Sequence, residues 1–205
     1  MDALQKAEII ATTRNMILSM GIKSLRMDDV AQIAHVSKRT LYEEFGDKEE
    51  LLFQAVKLHF DEFYASNAEK AQGAENILES ILIIMGEIRK NSHINWQLRN
   101  ALKKFFPQIL HRLNTDNKEE RYRVIVSTIQ IGIRQGLIRK EINIELAITT
   151  LSYIAIGITN NNETIAIPYN TTSDEAFEEI LTYVLRGIST IKGIEIIDNF
   201  NFRKQ

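Results

Sequence analysis

Read for the spacing of its apolar positions, the chain is helical almost throughout. Ile9, Thr13, Met16, Ile17 and Met20 recur at the intervals that place side chains on one face of an α-helix, which predicts a helix over 3–20 that Gly21 ends. A short helical run, Met27 to Ala34, follows. After the break His35-Val36-Ser37 comes a second short run, Lys38 to Phe45, with Leu41 and Phe45 four apart on one inward face. Ser37 is placed to cap it, because its hydroxyl can accept from the open N–H groups of the next turn. Lys38, Arg39, Thr40 and Tyr42 then project outward from the start of that helix. Asp47 caps a longer run that starts at Lys48. It keeps Leu51, Leu52, Ala55, Val56, His59, Phe60 and Phe63 on helical spacing to about Ala71.

Beyond the break Ala71-Gln72-Gly73-Ala74, helices are expected at about 75–91, 93–113, 118–136, 143–159 and 174–191. Pro107 should end or kink the second of these. Gly132 and Gly136 should interrupt the third, with Gly136 ending it. The run Ala147 to Ile158 is apolar or small nearly all round, so both of its sides must be covered. Phe177, Ile180, Leu181, Val184, Leu185, Ile188 and Ile191 repeat at helical spacing in the last run. The tail, 193–205, carries Ile194, Ile196, Ile197, Phe200 and Phe202, too many apolar side chains for free solvation, and is expected to dock on a neighbouring helix. The fold class is therefore all-α.

Two short helices joined by a tight turn form a helix-turn-helix, whose second helix enters the major groove of DNA. Composition qualifies that reading. At 205 residues, with 44% apolar and 25% charged residues, the chain suits a folded protein of one two-part unit or two small domains. It has no cysteine, which excludes disulfides and thiolate metal sites. No apolar run approaches the ~20 residues of a membrane span, and no signal peptide is apparent, so a cytoplasmic protein with no membrane partner is expected. Residues 1–50 carry seven Lys/Arg against nine Asp/Glu, an acidic balance for a head expected to meet DNA. Asp28, Asp29, Glu49 and Glu50 fall in first turns of helices, where carboxylates favour the positive dipole end, so much of the acid is helix-stabilising.

From about Ile9 to Leu52 the chain resembles the N-terminal domain of the tetracycline-repressor (TetR) family of bacterial transcriptional regulators. The resemblance rests on Gly21, Val30-Ala31, Val36-Ser37, Thr40-Leu41-Tyr42, Phe45 and Lys48-Glu49-Glu50-Leu51 taken together. It implies a helix-turn-helix head over 1–47 and a ligand-binding and dimerisation body over 48–192, with 48–71 as the connecting helix and 193–205 as a tail. It implies a homodimer that binds a double-stranded palindromic operator through the helix 38–45 and releases it on binding a small-molecule effector, most simply as a repressor. In the family the start of the helix at Lys48 touches a phosphate, and the last two helices pair with their copies. DNA-binding residues would then be Arg26, Ser37, Lys38, Arg39, Thr40, Tyr42 and Lys48. Interface residues would be Ser152, Ala155, Gly157, Ile158, Ile180, Val184 and Ile188, which could instead fill the core of one subunit.

Two positions depart from the family pattern. Arg26 stands where a small hydroxyl residue usually caps the second helix; it either reaches a phosphate or is solvated, and Ser24 or Asp28 could cap instead. His35 stands in the turn, where Gly is usual, and reads as a tolerated substitution rather than a ligand. Candidates to line an effector pocket are Phe63, Met85, Trp96, Phe105, Phe106, Tyr122 and Tyr153, each of which could equally be core packing. The four histidines are scattered and form no metal pair. No nucleophile motif or phosphate loop occurs, so no cofactor and no enzyme activity are expected. A second reading is a helical ligand-binding or scaffold protein whose head binds DNA weakly or not at all; the acidic balance, Arg26 and His35 favour it.

Overall fold

The computed structural model describes residues 1–116, 118–150 and 173–200. Among them the elements are α1 (Ala3–Met20), α2 (Met27–Ile33), α3 (Lys38–Phe45), α4 (Lys48–Lys70), a 3-10 turn (Ala71–Gly73), α5 (Ile77–Lys90), α6 (Ser92–Phe105), α7 (Pro107–Thr115), α8 (Lys118–Arg134), α9 (144–150), α10 (Ser173–Ile188) and α11 (Ile191–Asn199). The chain is all-α, as its periodicity implies. The one extended contact among the described residues is a single antiparallel bridge, Ile138 to Ser189.

The chain folds as two compact units that do not follow chain order. One comprises Met1–Ser66 with His93–Asn117, the other Asn67–Ser92 with Lys118–Gln205. In the first unit, Ile9, Ile17, Leu25, Val30, Leu41, Phe45, Leu51, Leu52 and Val56 share one core with Leu98, Leu102 and Ile109 of α6 and α7. Each such side chain contributes roughly 1.5–3 kcal/mol on burial, which holds three short helices that could not persist alone. Residues 93–117 thus complete the head's core, which chain order alone would assign to the body.

In the second unit, Leu78, Leu82 and Met85 of α5 pack with Ile129, Leu137, Ile138, Ile148, Leu185 and Ile197. The loop after α8 and the loop between α10 and α11 lie side by side. Arg139 N–H donates to Ile188 O at 2.9 Å, and Thr190 N–H donates to Leu137 O at 2.9 Å. The closeness of this packing depends on Gly193, since a Cβ there would stand 2.2 Å from the Leu137 carbonyl oxygen.

The run 93–113 is broken at Pro107, as expected of a proline there: α6 stops at Phe105, Phe106 stands at the junction and Pro107 opens α7. Other boundaries differ from the pattern. Gly132 does not interrupt α8, which runs on to Arg134; Gly136, at φ +70°, follows the helix end. The last run stops at Ile188. Ser189 turns its hydroxyl back to Leu185 O, and Thr190 caps a new helix by accepting from Gly193 N–H at 3.2 Å. Ile191, expected on the buried face, is 79% exposed. The tail docks on a neighbouring helix, as its apolar content implies: its first residues belong to α11, which packs on α5 and buries Ile197.

Candidate nucleic-acid interface

Local chemistry builds α3. Val36, half-buried against the core, precedes Ser37, whose Oγ accepts from Thr40 N–H at 3.0 Å and so closes the first turn of α3. Leu41 and Phe45 are 0% and 5% exposed and anchor the helix inward. Gly46, at φ +77°, lets the chain leave the helix in a conformation that a side chain would strain. The turn before α3 passes through His35 at φ 54°, the one positive-φ non-glycine among the described residues. It is solvent-exposed, in keeping with a tolerated substitution. Lys6 of α1 braces α3, reaching Glu44 at 2.8 Å and lying 5.3 Å from the Phe45 ring. That contact holds the Glu44 carboxyl below its ordinary pKa.

The outward face carries Lys38, Arg39 and Tyr42, all exposed. Neither cation stands alone. Lys38 Nζ donates to Asp28 of α2 at 3.0 Å, and Arg39 Nε to Glu43, one turn on, at 2.7 Å. Hydrogen bonding to Asp28 raises the Lys38 pKa above its ordinary value. The hydroxyls of Ser37 and Thr40 are 2.7 Å apart and share a bond, so both are engaged in the cap. Arg26 stands at the N-cap position of α2 with no side-chain cap there, and is exposed. Neither Ser24 nor Asp28 caps that helix.

Lys48 is placed otherwise than the resemblance implies. Its ammonium donates to the Leu25 carbonyl oxygen, in the segment leading into α2, and lies 5.9 Å from the Phe106 ring. It is half-buried and engaged within the protein, where a phosphate ligand would stand free. The carbonyl draws it in because Leu25 is fully buried and its backbone needs a partner. Asp47 does cap α4, accepting from Glu50 N–H at 2.8 Å. The sequence reading missed Asp28 as the partner of Lys38. It also missed Lys23, whose ammonium lies 4.9 Å from the Phe105 ring. No local spacing signals either pairing.

The pocket candidates fall in both units. Phe63, Trp96, Phe105 and Phe106 belong to the first unit, Met85 and Tyr122 to the second. Met85 is buried in the second core, and Phe106 packs on the first. Trp96, Phe105 and Tyr122 are exposed to solvent and line no core. Tyr153, Ser152, Ala155, Gly157 and Ile158 lie outside the described residues. Of the remaining interface candidates, Ile188 packs against the second core, and Ile180 and Val184 are half-buried. Among the described residues, no cluster of His, Asp and Glu could hold a metal ion, and no helix is long and apolar enough to cross a membrane.

Comparison with known proteins places this geometry. Residues 9–55 match the family described as bacterial regulatory proteins, tetR family. Among solved structures, the chain is similar to a transcriptional regulator from Saccharomonospora viridis in complex with choline, at 18% identity over 92% of this chain and 100% of that one, TM-score 0.64. It is similar to the fatty acid degradation regulator FadR from Bacillus halodurans, at 16% identity over 91% and 97% of the two chains, TM-score 0.62. It is also similar to the TetR-family repressor QsdR from R. erythropolis, at 19% identity over 91% and 96%, TM-score 0.56. At such identities the likeness is one of fold. A search of curated proteins finds no match. Residues 9–55 thus carry the helix-turn-helix head of the bacterial regulatory proteins of the tetR family, in a chain that is all-α in fold.

Proposed function

We propose that the protein is a cytoplasmic, homodimeric repressor that binds a palindromic operator through α3 and leaves it when a small-molecule effector binds. The observation that supports this best is the face of α3. Two buried anchors and a capped first turn hold Lys38, Arg39 and Tyr42 out to solvent on one side. Such a face suits donors to base edges and phosphates. Arg39, the most exposed of these cations, is the candidate for base contact; Lys38 and Arg26 are candidates for phosphate. Lys48 acts from behind, holding the segment that leads into α2. One recognition helix offers few base contacts, so two heads on a two-fold axis are needed for a useful operator affinity. The choline in the S. viridis relative and the fatty acid role of the B. halodurans relative favour a small organic effector, without indicating which.

The test is selection of bound duplexes from a random-sequence library with purified protein. Recovery of a palindrome with half-sites about one helical turn apart supports the reading. Arg39→Ala should then relax the base preference within each half-site. Recovery of no duplex at low salt would favour the second reading, a helical ligand-binding protein with an inactive head. The pairing of both α3 cations with carboxylates is the observation on that side.

A further inference from the structure

We propose that a second cationic surface of the first unit, formed by Lys23 and Lys104 around the exposed ring of Phe105, binds the phosphates of DNA flanking the operator half-site. The inference rests on the operator-binding reading and adds a contact outside the helix-turn-helix.

Charge bookkeeping motivates it. Residues 1–66 hold eight Lys/Arg and eleven Asp/Glu, so the head taken from chain order is acidic. Residues 93–117 hold four Lys/Arg and one acid. Because that segment folds into the same unit, the unit as a whole is neutral, with twelve of each sign. The cations of the unit are not all set alike. Lys6, Arg14, Lys38, Arg39, Lys57 and Arg112 each contact a carboxylate. Lys23 and Lys104 contact none among the described residues.

The geometry gathers these two cations. Lys23, in the loop between α1 and α2, and Lys104, near the end of α6, lie 4.9 Å and 5.4 Å from the same ring. Phe105 is 37% exposed, so the ring is a platform that holds two ammonium groups at the surface. Two residues beyond Lys23, Leu25 is tied by its carbonyl to Lys48, and Arg26 follows at the start of α2. The patch therefore adjoins the edge of the helix-turn-helix, on the loop that leads into it. A surface that gathers two cations on one ring, with no carboxylate partner among the described residues, suits a polyanion with regular phosphates. The duplex that α3 would engage is the nearest such polyanion.

The experiment uses the full-length protein and the operator recovered by selection, as a duplex trimmed to the palindrome and as one extended by about one helical turn on each side. Affinity is read by fluorescence anisotropy across a salt series. For wild type, the extended duplex should bind more tightly and with the steeper salt dependence. In the Lys23→Gln/Lys104→Gln variant that excess should vanish, with the slope falling by about 0.9 for each lysine lost. Binding to the trimmed duplex should be unchanged. Lys23→Arg/Lys104→Arg should keep the wild-type behaviour, and melting followed by circular dichroism should show all three proteins folded. If the Gln variant retains the wild-type slope and length dependence, the proposal is overturned while operator binding stands. If wild type binds neither duplex, the operator reading itself fails and this inference with it.

Discussion

Asp28→Asn should tighten DNA binding. In the free protein Asp28 accepts from Lys38 at 3.0 Å, so a phosphate must take Lys38 away from a carboxylate already in place. Asp28 also carries a negative charge on the surface that would approach the duplex. Asparagine keeps the shape and removes both obstacles. The magnitude is bounded by exposure: the Lys38 and Asp28 side chains are 50% and 67% exposed, and a pair this wet is largely screened. The gain is therefore about two- to fivefold in Kd for operator and random duplex alike. Folding stability should move the other way, because Asp28 sits in the first turn of α2, where a carboxylate favours the helix dipole. Tighter binding with slightly lower thermal stability is thus the expected signature.

The assay is an anisotropy titration of four proteins: wild type, Asp28→Asn, Lys38→Gln and the double variant. Lys38→Gln should weaken binding and reduce the salt slope by about 0.9. Its cost should be larger in the Asp28→Asn background, where Lys38 has no competing partner to leave. Equal costs in the two backgrounds would show that the ion pair does not compete with DNA. Weaker binding by Asp28→Asn would refute the placement of this face against the duplex.

Other expectations concern the scaffold. Leu41→Ala removes a fully buried anchor and should cost about 2–5 kcal/mol in urea denaturation, with operator affinity falling because α3 loses its seat. Gly193→Ala sets a methyl 2.2 Å from the Leu137 carbonyl oxygen and should lower the melting temperature of the second unit while leaving DNA contacts untouched. Glu87 is buried, and hydrogen bonds from Lys70 and Lys90 hold its carboxyl below the ordinary carboxylate pKa. A lowered folded-state pKa gives stability that is fully present above the unfolded value and lost as pH falls through the folded one. Glu87→Gln should accordingly flatten the decline in melting temperature below about pH 4.5, a prediction checked by melts across that range. Lys48→Gln should lower thermal stability more than it lowers the salt slope of binding, because its ammonium is engaged by Leu25 and Phe106.

What could be read in the chain, and what could not, follows the range of the interactions. The end of α1 and the start of α3 were legible because Gly21 and Ser37 act within a turn of their own helix, and Leu41 and Phe45 declare their face by spacing alone. The end of α10 was not, because Ser189 and Thr190 look unremarkable inside an apolar run. Their effect depends on a loop more than fifty residues away, where Thr190 meets the Gly136 and Leu137 carbonyls. The same holds at the interface. Lys38, Arg39 and Tyr42 were found on the outer face of their helix, but the partners that determine how available the cations are lie elsewhere: Asp28 on α2 for Lys38, Leu25 and Phe106 for Lys48. The acidic balance of the first fifty residues, which weakened the DNA-binding reading, shows the consequence. A duplex meets a folded surface, and that surface includes Lys104 and the other cations of 93–117, which chain order assigns to the body. Counted over the compact unit the acidic excess disappears, so the net charge of the N-terminal segment carries no weight against DNA binding. The objection that survives is the local one, the carboxylate already held by each cation of α3, and the Asp28→Asn cycle measures it.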